Sequence, residues 1–258
     1  MPSSAFPMDF ERRFGGIARL YGAAGANRIW QAHVGVVGLG GVGSWAAEAL
    51  ARSGVRALTL IDLDQVAESN INRQVLAVDD TLGMAKVFAM QQRIAQINPN
   101  CVTTVVEEFV TPENCAALLP TGLDALVDAC DQMSAKAALA LWARQSGLPF
   151  VTAGAAGGKR LAHLADMADL ADVTHDPLLA NLRYRLRKQH GLPGKGAMGV
   201  HCVFSREPVA QAADACATDG SLNCAGYGSF APVTATFGQC AAGWILNQLA
   251  GGTAKTRL

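Results

Sequence analysis

Three observations predict an α/β fold with a Rossmann-like, doubly wound and mainly parallel sheet, followed by a C-terminal helical and loop extension. Strand and helix patterns alternate from residue 33 to residue 152. A glycine turn joins the first strand of that series to its first helix. The second strand ends in an acidic residue.

The elements follow in order. Residues 1–31 are a lead-in that contains a helix. Val34 to Val37 is an apolar strand, and it runs into Gly38, Gly40, Gly41 and Gly43 before a helix that starts near Ser44. A second apolar strand ends at Asp62, which closes a βαβ unit over 33–62. Thr81 to Gln96 has helical periodicity and stops before Asn98 and Pro99. Val102 to Val106 is β-branched and reads as a strand. A short helix is predicted over Pro112 to Leu119 behind a Thr111 cap. Ala125 to Asp128 is a buried strand, Ser134 to Ser146 a helix and Pro149 to Thr152 another strand. Past Gly158 the pattern loosens. His175 to Gln189 is helical, Val200 to Ser205 is a strand, 207–227 reads as loop and Thr234 to Leu249 as the last helix. The expected organisation is an ATP-binding adenylation region with its lead-in over 1–160, and over 161–258 the remainder of the same fold with a basic segment.

Composition narrows the function. Of 258 residues, half are apolar and 16% are charged, which excludes wholesale disorder. The formal net charge is zero, so a nucleic-acid partner would need a local patch. Seven cysteines contain no C-x-x-C pair, which argues against a zinc knuckle. Their odd number, with no secretory signal ahead of the first strand, points to reduced thiols and a cytoplasmic setting. Thr234, Thr236, Gln239, Asn247 and Gln248 interrupt the apolar run from Val233 to Ala250. A buried helix is therefore expected there, and no membrane insertion.

The glycine turn lets the backbone approach a phosphate at a helix N-terminus, and Asp62 is placed to bond ribose hydroxyls. NAD, FAD and ATP sites share this turn, so a nicotinamide-binding redox or sensor module is one reading. Three features favour ATP. Ser69-Asn-Ile-Asn-Arg-Gln74 puts Arg73 just past the ribose strand, where a cationic fork suits a triphosphate. Lys86 follows Gly83 at the start of a helix and can add a second phosphate contact. Asp128-Ala-Cys-Asp131 ends a strand, where carboxylates can hold magnesium. Each alone is equally a solvated charge; their order behind a glycine turn is the signal.

These strings (GLGGVGS, LTLIDLD, SNINRQ, GMAKV, INPN and VDACD) resemble the adenylating enzymes related to ubiquitin-activating proteins, over about residues 10–155. The resemblance implies that Gly41 contacts phosphate and Asp62 the ribose. It also implies that Asn70, Arg73 and Lys86 contact phosphates or the adenylate, and that Asp131 is the magnesium-linked carboxylate. It further implies a homodimer in which an N-terminal arginine, Arg13 or Arg19, reaches the neighbouring site. Sulfur-carrier-activating members usually have two zinc-binding C-x-x-C pairs, which this chain lacks; activation of a ubiquitin-like sulfur carrier is the alternative reading. RFGGIARLYG, VTAGAAGG, HDPLLANLRYRLRK, GVHCVFSREP and PVTATFG instead resemble the subgroup of tRNA threonylcarbamoyladenosine dehydratases, over almost the whole chain. That subgroup implies ATP-driven cyclisation of a modified tRNA adenosine. A monovalent cation (Na+ or K+) and a cysteine desulfurase or sulfur-acceptor partner are left open.

Two further features are weighed separately. Arg183, Arg185, Arg187, Lys188 and Lys195 form the one dense basic segment, read as a solvated helix face or, through the resemblance, as a tRNA-docking surface. Cys224, in SLNCAGYGS, is read as a packing cysteine or as an acceptor thiol.

Overall fold

The computed structural model describes residues 9–209 and 227–251. Helix α1 (Phe10–Gln31) is capped by Asp9, whose side chain accepts the Arg12 N–H, and is interrupted at Gly22. Then come β1 (His33–Val37), α2 (Gly43–Arg52), β2 (Ala57–Ile61), α3 (Lys86–Ile97) and β3 (Val102–Val106). The chain continues with α4 (Cys115–Leu118), β4 (Ala125–Asp128), α5 (Met133–Ser146) and β5 (Phe150–Ala153). Last are β6 (Ala165–Asp169), α6 (Pro177–Gln189), β7 (His201–Ser205) and α7 (Ala231–Gly251).

The seven strands form one sheet in the order β3-β2-β1-β4-β5-β7-β6, parallel except for β6, which pairs antiparallel with β7. The predicted fold class holds, and residues past 161 contribute two strands to the same sheet. β1, β2, β4 and β5 are almost wholly buried, because helices cover both faces. One core face joins α2, α3 and α7; the other joins α5 and α6.

Helix α7 is a buried helix that packs on α2, as its polar interruptions predicted. Gly238 permits the contact: a Cβ there would lie 2.5 Å from the Val42 carbonyl oxygen. Among the described residues no helix is long and apolar enough to cross a membrane.

Three elements depart from the sequence reading. Helix α3 starts at Lys86, five residues later than its periodicity suggested. A single 3-10 turn (Asp79–Thr81) and Gly83, with φ 79°, intervene and break the helix. The 112–119 helix shrinks to Cys115–Leu118. Strand β6 has no sequence signal, since Ala-Asp-Met-Ala-Asp contains no β-branched residue; it forms by edge pairing with β7.

Candidate active site

The parallel strands end along one edge, and the ladder continues into the connecting loops. Gly38 donates to Ile61, Asp62 to Val106 and Ala129 to Val37. The strand order reverses between β1 and β4, which opens a crevice above their carboxyl ends. A cavity of about 480 Å³ occupies that crevice.

Its floor is the glycine turn. Gly38 has φ 83°, and Gly43 packs against it so closely that a Cβ would lie 1.7 Å from the Gly38 oxygen. A side chain at Gly43 would push the turn out of shape. Gly38, Gly40 and Gly41 line the cavity; Gly43 supports them from behind. Helix α2 begins with no side chain bonded at its cap, an arrangement that presents backbone N–H groups to an anion.

Asp62 lines the cavity and is tightly placed. Its Oδ2 accepts the Leu39 N–H at 2.6 Å and its Oδ1 the Asp64 N–H at 2.8 Å. Burial pushes its carboxyl above the usual aspartate range, against the pull of nearby Lys86 and the two backbone bonds. Lys86 opens α3, is buried, and donates Nζ to Asp64 Oδ2 at 2.7 Å. Arg73 lines the cavity beside Gly41. Its Nη1 donates to Ser69 O at 2.7 Å and to Asn72 Oδ1 at 2.9 Å, and burial lowers its pKa. The Arg73 carbonyl accepts from Trp45 Nε1 at 3.0 Å and Thr234 Oγ1 at 3.2 Å, so α2 and α7 fix this residue from two directions.

The structure thus brings Gly38, Gly40, Gly41, Asp62, Arg73, Lys86 and Asp131 to one cavity. Asn70 does not reach it. Its Oδ1 accepts the Ala67 N–H and closes a single 3-10 turn (Glu68–Asn70) instead. Asn72, two residues on, does line the cavity; its Nδ2 donates to Ser229 O at 2.7 Å and ties α7's lead-in over the site. Thr234 lines it as well, carried there by α7. Sequence reasoning missed Asn72 and Thr234, although both lie in strings already singled out.

The second wall comes from β4 and β5. Ala129 to Gln132 and Ala153 to Gly157 line it, joined by Leu178 and Tyr227 to Ser229. Asp131 is exposed there. Asp128 is fully buried and engaged by Lys136, Thr152 and Cys130, so it offers no lone pair to a metal. Among the described residues no three His, Cys, Asp or Glu side chains gather as a metal site. One exposed carboxylate suffices for magnesium when phosphate oxygens and waters supply the other ligands. The Cys130 thiol is pushed well up by burial and by Asp128, which suits packing and not nucleophilic attack.

Other expected groups lie elsewhere. On α6, Arg183 donates Nη1 to the carbonyls of Leu170 and Val173, and Arg187 donates to Pro193 O. Lys188 and Lys195 are exposed and Arg185 half-buried. Arg13 donates to Ile97 O and lines a separate cleft with Arg52 and Arg93; Arg19 is exposed on α1. Cys224 lies outside the described residues.

A glycine turn, a strand-end carboxylate and two cations lining one crevice fit a nucleotide-binding protein of the Rossmann-like α/β class. The chain belongs to the ThiF family, whose model matches residues 16–257. It is 44% identical to the tRNA threonylcarbamoyladenosine dehydratase of Escherichia coli (strain K12), over 95% of this chain and 96% of that one. The crystal structure of the E. coli tRNA N6-threonylcarbamoyladenosine dehydratase, TcdA, in complex with ATP superposes with a TM-score of 0.85. It is 43% identical and covers 97% of each chain. The complex of that enzyme with AMP gives a TM-score of 0.86 at 44% identity, over 96% of this chain and 98% of that one.

Proposed function

We propose that this chain is an ATP-dependent dehydratase of threonylcarbamoyladenosine in the anticodon loop of tRNA. It adenylates the threonyl carboxylate and cyclises it, with release of AMP and pyrophosphate. One observation carries the reading: the phosphate turn, Asp62, Arg73 and Lys86 share a single cavity in a chain similar end to end to a dehydratase that binds ATP and AMP.

The chemistry follows from the leaving group. An unactivated carboxylate would have to expel oxide or hydroxide. Attack of a carboxylate oxygen on the α-phosphorus breaks the bond to pyrophosphate and leaves an acyl adenylate. A carbamoyl nitrogen or oxygen then attacks the acyl carbon, a proton departs and the bond to AMP breaks. The net change is loss of one water. Arg73 and Lys86, held rigidly beside the glycine turn, stabilise the charge that grows on the phosphates. The wall from Ala153 to Gly157 offers small residues against which the modified base can lie. Holding both reacting ends of one substrate supplies orientation worth ~7–11 kcal/mol.

Asp131 would hold magnesium, which would supply neutralisation of the charge on the leaving pyrophosphate. Asn70 acts through its turn, by setting the path of the chain into Asn72 and Arg73. Arg185, Lys188 and Lys195 supply phosphate contacts to tRNA, with Arg183 and Arg187 shaping the segment. The working form is a cytoplasmic homodimer, and residues 161–258 complete the adenylation fold and carry its tRNA surface. Nucleotide products test the activation step. Equal amounts of AMP and pyrophosphate per modified tRNA are expected; ADP with phosphate would mean attack at the γ-phosphorus and overturn adenylation.

A further inference from the structure

Behind the second wall lies a buried charge pair that the adenylation chemistry does not use. Asp128 ends β4 and Lys136 sits one turn into α5, and both are 0% exposed. Lys136 Nζ donates to Asp128 Oδ2 at 3.0 Å and to the Cys130 carbonyl at 2.8 Å. From β5, Thr152 Oγ1 donates to the same Asp128 oxygen at 2.6 Å. The other oxygen, Oδ1, accepts the Cys130 N–H at 3.1 Å and the Cys130 thiol at 2.8 Å. Burial opposes the ammonium charge, but Asp128 outweighs it, and the Lys136 pKa lies above the ordinary lysine value.

The geometry of this network is specific. It grips both the N–H and the carbonyl of Cys130, the residue immediately before Asp131. It joins β4, β5 and α5, and every residue of the loop it holds, Ala129 to Gln132, lines the nucleotide cavity. A buried pair is weak support for stability, since its desolvation cost offsets the attraction. Fixing one loop geometry is a role that an apolar pair of the same volume would not fill.

We propose that Lys136 is a positioning residue: through Asp128 and the Cys130 peptide it holds Asp131 in the orientation that the adenylation step requires. The proposal rests on the reading above that Asp131 serves adenylation. Lys136 touches neither nucleotide nor substrate, so its loss should slow turnover without weakening ATP binding.

The test is a comparison of three variants in the full-length protein. Lys136→Met strands a buried carboxylate and should lower Tm by roughly 10 °C. Asp128→Asn with Lys136→Met removes both charges and should restore Tm to within a few degrees. In that double variant ATP affinity by calorimetry should stay within about threefold of the parent, while kcat for tRNA dehydration falls at least tenfold. Recovery of kcat together with Tm would make the pair purely structural and overturn the proposal. Should the double variant fail to fold, Thr152→Val decides. It keeps both charges but removes one of the two hydrogen bonds to Asp128 Oδ2, and is expected to cut kcat severalfold at unchanged ATP affinity; an unaltered kcat overturns the proposal. A parent protein that binds ATP but forms no dehydrated tRNA would instead sink the functional reading.

Discussion

Two sets of cations in this molecule differ both along the sequence and in three dimensions. Arg73 and Lys86 are isolated in the chain, separated by twelve residues that contain no α-helix and no strand. They converge on one cavity, partly or wholly buried, each pinned by a short hydrogen bond. Arg183, Arg185, Arg187 and Lys188 are dense in the chain, yet two of them are spent on backbone carbonyls of their own neighbourhood. Density along a helix marks a charged face; convergence of desolvated charge on a cavity marks chemistry.

The sharpest way to break this comparison is to remove a converging group. Arg73→Ala should lower kcat by a hundredfold or more while tRNA affinity is retained. Asp131→Ala should do the same. Filter-binding and single-turnover measurements separate the two effects, and near-normal turnover by either variant would mean that the wrong side chains have been assigned.

A smaller loss is expected at Asp62. Asp62→Asn should weaken ATP about tenfold, since one amide oxygen can keep only one of the Leu39 and Asp64 N–H bonds and replaces a charged acceptor. The sign of its effect on stability is set by its raised pKa. A carboxyl that holds its proton more tightly when folded contributes stability below its unfolded pKa and loses it as pH rises through the folded pKa. The Asn variant, which cannot ionise, should lack this pH-dependent contribution. It should also show a weaker fall in Tm from acid to neutral pH in a calorimetric series. A variant whose Tm falls as steeply as the parent's would contradict the raised pKa.

The α6 side of the comparison predicts a division of labour. Replacing Arg185, Lys188 and Lys195 with alanine should weaken tRNA binding and lower its salt slope by roughly one unit per lost phosphate contact, with ATP affinity unchanged. Arg183→Ala should act mainly on stability, costing about 1–2 kcal/mol through its bonds to Leu170 and Val173. An Arg183 variant that loses tRNA affinity at unchanged Tm would reverse the assignment.

The nucleotide half was legible in the sequence because its signals are local. The glycine turn needs φ and close-approach freedom within six residues, and Asp62 follows directly from the end of its strand. Asn70 and Asn72 could not be told apart, since they sit on one tight turn and only its three-dimensional path decides which side chain faces the cavity. Thr234 was not picked as a site residue for another reason: it reaches the cavity from α7, whose position is set by packing far along the chain. The same dependence on tertiary context hid β6, an edge strand that exists because β7 offers it hydrogen bonds.

The central claim is that this cavity activates a carboxylate on tRNA with ATP. It is tested most directly by mass spectrometry of nucleosides from threonylcarbamoyladenosine-containing tRNA after incubation with the protein. Conversion of threonylcarbamoyladenosine to a product lighter by one water is expected, only when ATP is present and not with Arg73→Ala. An unchanged nucleoside, with ATP consumed instead on the C-terminal carboxylate of a ubiquitin-like sulfur carrier, would contradict it.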